Sequence, residues 1–351
     1  MKKTGIITFE HEENYGAVLQ CYALKEFLKS KGTESYVVNK HKNKGALFSF
    51  SSPKTFLKSV YLSIPKIIKR RKTDCFKKKY FNYLDFDARD NIDIFFLGSD
   101  QIWNPDFIKG EEQIYFAGFE KKKNSLVASY AASVGKEFLN NSEKEIFRNN
   151  LRNIDVISVR EEKGKELLKD LTDKEIEVLL DPTLLITKDQ WEKLIIPEHG
   201  TTEKYLLLYH LWDYNDTLKT AQKIASELNL RIIELKPNAT IESPLSEIFN
   251  PAGPSDFLRL FKDASVIVTN SFHGVAFSIL FKKEFYAVSS KSWSSRMTNL
   301  LEKFNLSERF INVDAQINFS YVIDYKFTED ILETERLRSG KFIQKILDLY
   351  N

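Results

Sequence analysis

The sequence predicts an α/β protein built as two Rossmann-like units, each a parallel sheet with helices on both faces. Three observations carry that expectation. Short apolar, often β-branched runs alternate with helix-period segments almost from end to end. The 351 residues exceed what one ordinary core holds. A short polar loop containing Pro197 and Gly200, Ile196–Thr202, separates two such series.

In the first series, Gly5–Phe9 reads as a strand and a helix follows from about Tyr15. Asn14 is a suitable N-cap, and Ala17, Cys21, Leu24 and Leu28 share one stripe. Lys31-Gly32 closes that helix, and Ser35–Val38 resumes as strand. Ile92–Leu97, Leu126–Tyr130, Val156–Val159 and Ile176–Leu180 read as later strands, with helices over Glu143–Asn153 and Glu161–Leu171. The second series is strand Tyr205–Tyr209, helix Asp216–Leu228, strand Arg231–Leu235, helix Ser255–Lys262 and strand Val266–Val268. A helix carrying His273, strand Phe285–Val288 and a helix from about Ser295 complete it. The expected division is 1–196, 203–328 and a last helix, 329–351, packing back across the first unit.

Residues 40–79 break the alternation, with Lys and Arg throughout against Asp74 as the one acid. Phe56, Leu57, Val60, Tyr61, Ile64, Ile67 and Ile68 recur at helical spacing, and Pro65 is expected to kink or split the helix. Two readings stand open: an insertion packed on its unit with solvated lysines, or a basic amphipathic element suited to an anionic membrane face or a diphosphate-linked lipid.

Composition excludes several classes. A net charge of +3 makes no global case for nucleic acid. The N-terminus runs straight into a strand, too short an apolar core for a signal peptide, and no stretch approaches the roughly 18 apolar residues of a membrane span. Cys21 and Cys75 are isolated and fit a reducing compartment, so a cytoplasmic protein is expected. No Gly-x-Gly-x-x-Gly follows the first strand, no P-loop is present, and the histidines show no metal-ligand spacing. Neither a cofactor nor a metal is expected.

The chemistry-bearing groups cluster after strands. Val266–Val268 stops at Thr269-Asn270-Ser271, and His273-Gly274 opens a helix whose unpaired N–H groups and dipole favour an anion. Arg160 follows another strand, where a guanidinium can fork onto phosphate or carboxylate; a surface pair with Glu161 or Glu162 is its plainer reading. Arg296 follows Ser294-Ser295 at a further helix start, a phosphate-friendly set if Ser294 is more than a cap. After Ile92–Leu97 come Ser99, Asp100, Gln101, Trp103 and Asn104, polar groups beside a flat ring, as in sugar sites. Asp100 can serve there as base toward a hydroxyl, or merely hold a turn. Asn14, Tyr15 and Gln20 face the same edge, and His210 ends a strand that points there too.

Taken in order, Asn14-Tyr15-Gly16-Ala17-Val18-Leu19-Gln20, Gly98–Asn104, Ser158–Glu161, Asp181-Pro182-Thr183 and Asn270–Gly274 resemble the polysaccharide pyruvyl transferase family over roughly residues 5–310. The resemblance implies a GT-B-like pair of Rossmann-type domains with the active site between them. It also implies phosphoenolpyruvate as donor, held by Arg160; from their placement alone, Arg296, Asn270, Ser271 and Ser295 complete the expected donor set on the second unit's side. The implied acceptor is a sugar of a cell-surface polysaccharide or its lipid-linked precursor; the groups expected from their placement to meet it are Asn14, Tyr15, Gln20, Ser99, Gln101, Trp103 and Asn104. His273 matches the family's active-site histidine and Arg160 its donor-binding arginine, whereas Asp100 as base follows from its placement alone. Better-known relatives carry arginine two residues before the histidine; here Ser271 stands in that position. A nucleotide-sugar glycosyltransferase and a non-catalytic glycan-binding relative are the alternatives.

Overall fold

A computed structural model describes residues 1–10, 14–39, 53–197, 203–211, 214–236, 251–288, 294–312, 316–319 and 322–350, with the side chains of 53–63, 214 and 294 outside the description. The loop read as a seam and the start of the basic segment therefore fall largely outside the described residues.

Strands β1 (Lys3–Ile7), β2 (Glu34–Asn39), β3 (Tyr83–Asp85), β4 (Ile94–Gly98) and β5 (Leu126–Tyr130) form one parallel sheet in the order β3-β2-β1-β4-β5. The pair β6 (Ile157–Val159) and β7 (Ile176–Val178) joins it through single bridges, Ala128 to Val156 and Ala132 to Val159. Strands β8 (Tyr205–Tyr209), β9 (Arg231–Leu235), β10 (Val266–Thr269), β11 (Glu284–Val288) and β12 (Phe310–Ile311) form a second parallel sheet, β12-β11-β10-β8-β9. Fully apolar strands such as Ile94-Phe95-Phe96-Leu97 require cover on both faces, which parallel crossovers supply.

The helices are α1 (Tyr15–Ser30), α2 (Pro53–Tyr80), α3 (Pro105–Ile108), α4 (Glu112–Tyr115), α5 (Asn141–Asn150) and α6 (Glu162–Leu168). They continue with α7 (Lys188–Glu192), α8 (Tyr214–Glu227), α9 (Pro254–Asp263), α10 (Phe272–Leu280), α11 (Ser294–Lys303) and α12 (Tyr325–Leu349). Asn14 caps α1 as expected, accepting from the Gly16 N–H, and its stripe of Ala17, Cys21, Leu24 and Leu28 is fully buried.

Both sheets change winding direction at one point, β1/β4 in the first and β8/β10 in the second. Ligands bind α/β sheets where strand order reverses, beyond the strands' carboxyl ends. Those ends are tied: Thr8 Oγ1 donates to the Ser99 carbonyl at 3.1 Å, and the Leu211 N–H donates to Asn270 Oδ1 at 2.8 Å.

One expectation needs correction. Helix α2 runs through Pro65 unsplit, and its apolar positions do not all pack. Ile64, Ile67 and Ile68 are 45%, 42% and 37% exposed, while Lys69, Thr73, Phe76 and Lys77 face inward. Lys69 lies over the Tyr15 ring at 4.6 Å, and Lys72 pairs with Asp256 of α9 at 2.8 Å. The apolar start of the stripe, Phe56 to Tyr61, lies outside the described side chains. Helix α12 straddles the chain: Glu335 pairs with Lys303 of α11 at 3.0 Å, Arg336 donates to the Leu184 and Ile186 carbonyls, and Tyr350 bonds Asp93.

Candidate active site

A cavity of about 460 Å³ opens at the paired switch points, within the roughly 300–1,000 Å³ of small-molecule sites. Phe9 and Asp100 come to it from the first sheet, Leu211, Asn270, Ser271 and His273 from the second. Arg160, at the end of β6, and Arg296, in the first turn of α11, complete the cationic wall.

Asp181 organises that wall from beneath. It ends the apolar run after β7 and is fully buried. Its Oδ1 accepts from the Thr183 N–H (2.9 Å) and hydroxyl (2.7 Å). Its Oδ2 accepts from Ser99 Oγ at 2.9 Å and from Arg160 Nη1 at 2.8 Å. His273 Nε2 stands 3.6 Å from the same oxygen, an ion-pair distance rather than a hydrogen bond. Burial by itself raises the Asp181 carboxyl, but His273 and then Arg160 outweigh it, holding the group well below the usual carboxylate range.

Arg160 is buried and its guanidinium lies over the Phe272 ring at 4.2 Å. Only Nη1 is used by Asp181. Nε and Nη2 are buried with no hydrogen-bond partner among the described residues; their nearest carboxylates are Glu161 at 3.7 Å and Asp100 at 3.9 Å. Glu161 turns Oε2 toward Arg160 while its Oε1 accepts from Ser133 Oγ and the Val134 N–H. Burial opposes the charge on Arg160, yet Asp181, Glu161 and Asp100 together raise its pKa above the ordinary value. Burial above all, and then repulsion from Arg160, press Arg296 down to about 10 against the attraction of Glu161, Asp100 and Glu137, so it is still protonated at neutral pH.

His273 sits in the first turn of α10, and its ring packs on the Gly16 backbone of α1. A Cβ built at Gly16 would lie 2.0 Å from His273 Nδ1, so glycine alone admits the ring. Ser271 is the N-cap of this helix, accepting from the Gly274 N–H at 3.4 Å, a role arginine cannot fill. Asn270 donates to Thr217 Oγ1 as well as holding Leu211, so it braces the β8–α8 turn while lining the cavity. Asp100 takes a left-handed backbone (φ 64°), and its carboxylate accepts from the Gln101 N–H at 2.9 Å.

The structure brings Asn14, Asp100, Gln101, Arg160, Asn270, Ser271, His273 and Arg296 to the cavity lining. It does not bring the others. Trp103 offers no face to a sugar: it is fully buried, stacked on Phe116, with its N–H given to the Tyr115 carbonyl. Gln20 is buried on Thr8 and the Ala17 carbonyl, and Tyr15 is buried against Phe257 with its hydroxyl on the Ala252 carbonyl. Ser99 supports Asp181, and Asn104 caps α3 and reaches Gln101. Ser295 opens on a neighbouring groove with Glu162 and Asn299, and His210 is held by Glu234 at 2.9 Å.

The sequence reading gave Asp181 no role, although an acid ending a strand at the site's edge was the available signal. Phe9, Asp106, Phe107, Glu111, Tyr115 and Met297 also line the cavity and carried no pattern that points there. Among the described residues, no group of three His, Cys, Asp or Glu is placed to hold a metal ion.

The family model for polysaccharide pyruvyl transferase matches residues 14–292. No curated protein matches the chain. Among solved structures, UDP-GlcNAc 2-epimerase of Methanocaldococcus jannaschii in complex with UDP-GlcNAc and UDP is similar at 15% identity and TM-score 0.52, covering 99% of this chain and 100% of that one. A second structure of that archaeal enzyme is similar at 13% identity and TM-score 0.50, with the same coverage. At such identities the likeness speaks of fold alone, and the fold is GT-B-like.

Proposed function

We propose that this chain, which belongs to the polysaccharide pyruvyl transferase family, moves the pyruvyl group of phosphoenolpyruvate onto a sugar of a cell-surface polysaccharide or its lipid-linked precursor. The observation that carries the reading is Arg160: a buried guanidinium on the cavity wall, with Nε and Nη2 lacking partners among the described residues. Such donors are costly to bury unless an anion meets them. Arg296 lines the same cavity, so two guanidiniums serve a donor that carries both a phosphate and a carboxylate. Arg296 takes the part that arginine plays at the position of Ser271 in better-known relatives.

In this reading a proton adds to the methylene carbon of the donor, leaving C2 cationic. One sugar hydroxyl attacks C2 and loses its proton to a base. The C2–O bond to phosphate breaks, inorganic phosphate leaves, and a second hydroxyl closes the ketal, losing its proton in turn. His273 is the acid for carbon, with the ionised Asp181 as counter-charge to its protonated ring. Asp100, on the cavity wall beside Arg160, is the base for a hydroxyl. The positive N-terminus of α10 and the two guanidiniums stabilise the departing phosphate.

The exposed Ile64, Ile67 and Ile68, flanked by Lys66, Arg70 and Arg71, support a peripheral contact between α2 and an anionic membrane, where a lipid-linked acceptor is presented. Among the described residues, no helix is long and apolar enough to cross a membrane.

The test is a phosphoenolpyruvate titration followed by thermal shift and calorimetry, with Arg160→Ala and Arg296→Ala alongside. Saturable stabilisation is expected in the wild type, with each variant losing about 2–5 kcal/mol of donor binding. His273→Ala is expected to bind donor and release no phosphate. A response to a nucleotide-sugar with none to millimolar phosphoenolpyruvate would overturn the reading in favour of glycosyl transfer.

A further inference from the structure

Helix α2 turns apolar side chains outward and cations inward. Ile64, Ile67 and Ile68 are exposed, while Lys69 and Lys77 of the same helix are buried. A helix packed on a water-soluble core shows the opposite. Lys66, Arg70 and Arg71 are exposed among and beside the isoleucines, and the one acid of the helix, Asp74, stands 3.8 Å from Arg70. Isoleucines ringed by cations fit the headgroup boundary of an anionic membrane.

The opposite face of α2 holds both units at once. On the first, Phe76 meets the Tyr22 ring of α1 edge on at 5.8 Å, and Lys69 lies over Tyr15. On the second, Lys72 Nζ donates to Asp256 Oδ2 at 2.8 Å and to the Pro251 carbonyl at 3.1 Å. The approach there is close: a Cβ built at Gly253 would lie 2.6 Å from Lys72 Cβ. Lys69 and Lys72 are three residues apart, so one turn of the helix spans the seam.

That seam leads directly to the site. Tyr15, beneath Lys69, stacks on Phe257 at 5.1 Å and donates its hydroxyl to the Ala252 carbonyl at 3.0 Å. The next residue, Gly16, is the one against which the His273 ring packs. The turn that pins α9 to α1 therefore also fixes the spacing at which His273 meets the first unit. A surface that binds the far side of this helix favours whichever arrangement of the units seats it best.

Resting on the membrane contact and the pyruvyl-transfer reading, we infer that α2 couples the two. An anionic membrane seated on Ile64, Ile67 and Ile68 holds the turn Lys69–Lys72 across the cleft and favours the arrangement that binds donor. Membrane docking and donor binding are then linked, and each strengthens the other by the same factor.

The experiment uses the full chain, phosphoenolpyruvate and vesicles of phosphatidylcholine, alone or mixed with phosphatidylglycerol. Donor affinity is read by equilibrium dialysis and vesicle affinity by sedimentation. Mixed vesicles should tighten phosphoenolpyruvate binding about fivefold or more, and saturating phosphoenolpyruvate should tighten vesicle binding equally. Phosphatidylcholine alone should do neither. Ile64→Ser with Ile67→Ser and Ile68→Ser should abolish vesicle binding and leave donor affinity in solution unchanged. Lys72→Met keeps a stem against Gly253 but loses both bonds to the second unit. It should bind mixed vesicles as the wild type does, without the gain in donor affinity. Hydrogen exchange gives a readout that needs no donor: mixed vesicles should slow exchange over residues 15–19 and 252–258 in the wild type and not in Lys72→Met. No binding to mixed vesicles, unchanged donor affinity on them, or full coupling in Lys72→Met would each overturn the inference. If phosphoenolpyruvate binds neither with vesicles nor without, pyruvyl transfer falls instead, and the exchange comparison alone decides the coupling.

Discussion

The two walls of the cavity are built on opposite physical terms. On one, Asp181, Arg160 and Ser99 are buried and mutually bonded, and His273 is wedged against a glycine of the facing helix. On the other, Asp106 and Phe107 are held by short helices and reach solvent. Buried charges endure only in fixed geometry, because each lost partner leaves an unpaired ion in a poor solvent. The first wall is therefore pre-organised, as anion binding and proton transfer require. The second can vary without cost to the fold, which suits recognition of a variable ligand.

That contrast is broken most severely at Asp181. Asp181→Ala strands the Arg160 guanidinium and is expected to cost about 3–5 kcal/mol in urea unfolding. The effect depends on pH with a definite sign. The folded carboxyl lies below its ordinary value, so its contribution is present above about pH 4 and is lost as the pH falls further. The gap between wild type and Asp181→Asn should thus be full at pH 7 and narrow under acid.

Gly16→Ala tests the contact between the halves. Its Cβ would overlap the His273 ring, so about 1–3 kcal/mol of stability should be lost. Turnover should fall with it while phosphoenolpyruvate still binds, as calorimetry and phosphate release would show together. Ser271→Ala removes the cap of α10 and should cost about 0.5–2 kcal/mol by thermal melting. On the other wall, Phe107→Ala should change stability by less than about 0.5 kcal/mol. A loss there as large as at Gly16 would mean that the two walls are not the separate structures described.

Parts of this were legible beforehand. The strand ends at Arg160 and at Asn270–His273, and the helix start at Arg296, did reach one cavity, because the parallel alternation that predicts them also predicts that strand ends converge. The segment 98–104 has the same pattern of apolar strand and polar turn, yet Ser99, Trp103 and Asn104 turn inward. What separates the cases is local backbone: Asp100 takes a positive φ and redirects the chain, so only Asp100 and Gln101 face the cavity. Composition does not report a φ angle, and a tryptophan after a polar turn reads alike whether it stacks on a ligand or on Phe116.

The sequence by itself determined the α/β alternation, the helix caps and the set of strand ends from which a site had to be drawn, since these depend on residues close in the chain. Tertiary structure decided which of those groups meet. Asp181 gains its role only because β7 ends beneath Arg160 and Ser99, and His273 because α1 offers a glycine across the cleft. Such pairings join residues far apart in sequence, and their energies depend on burial and distance, which exist only once the chain has folded.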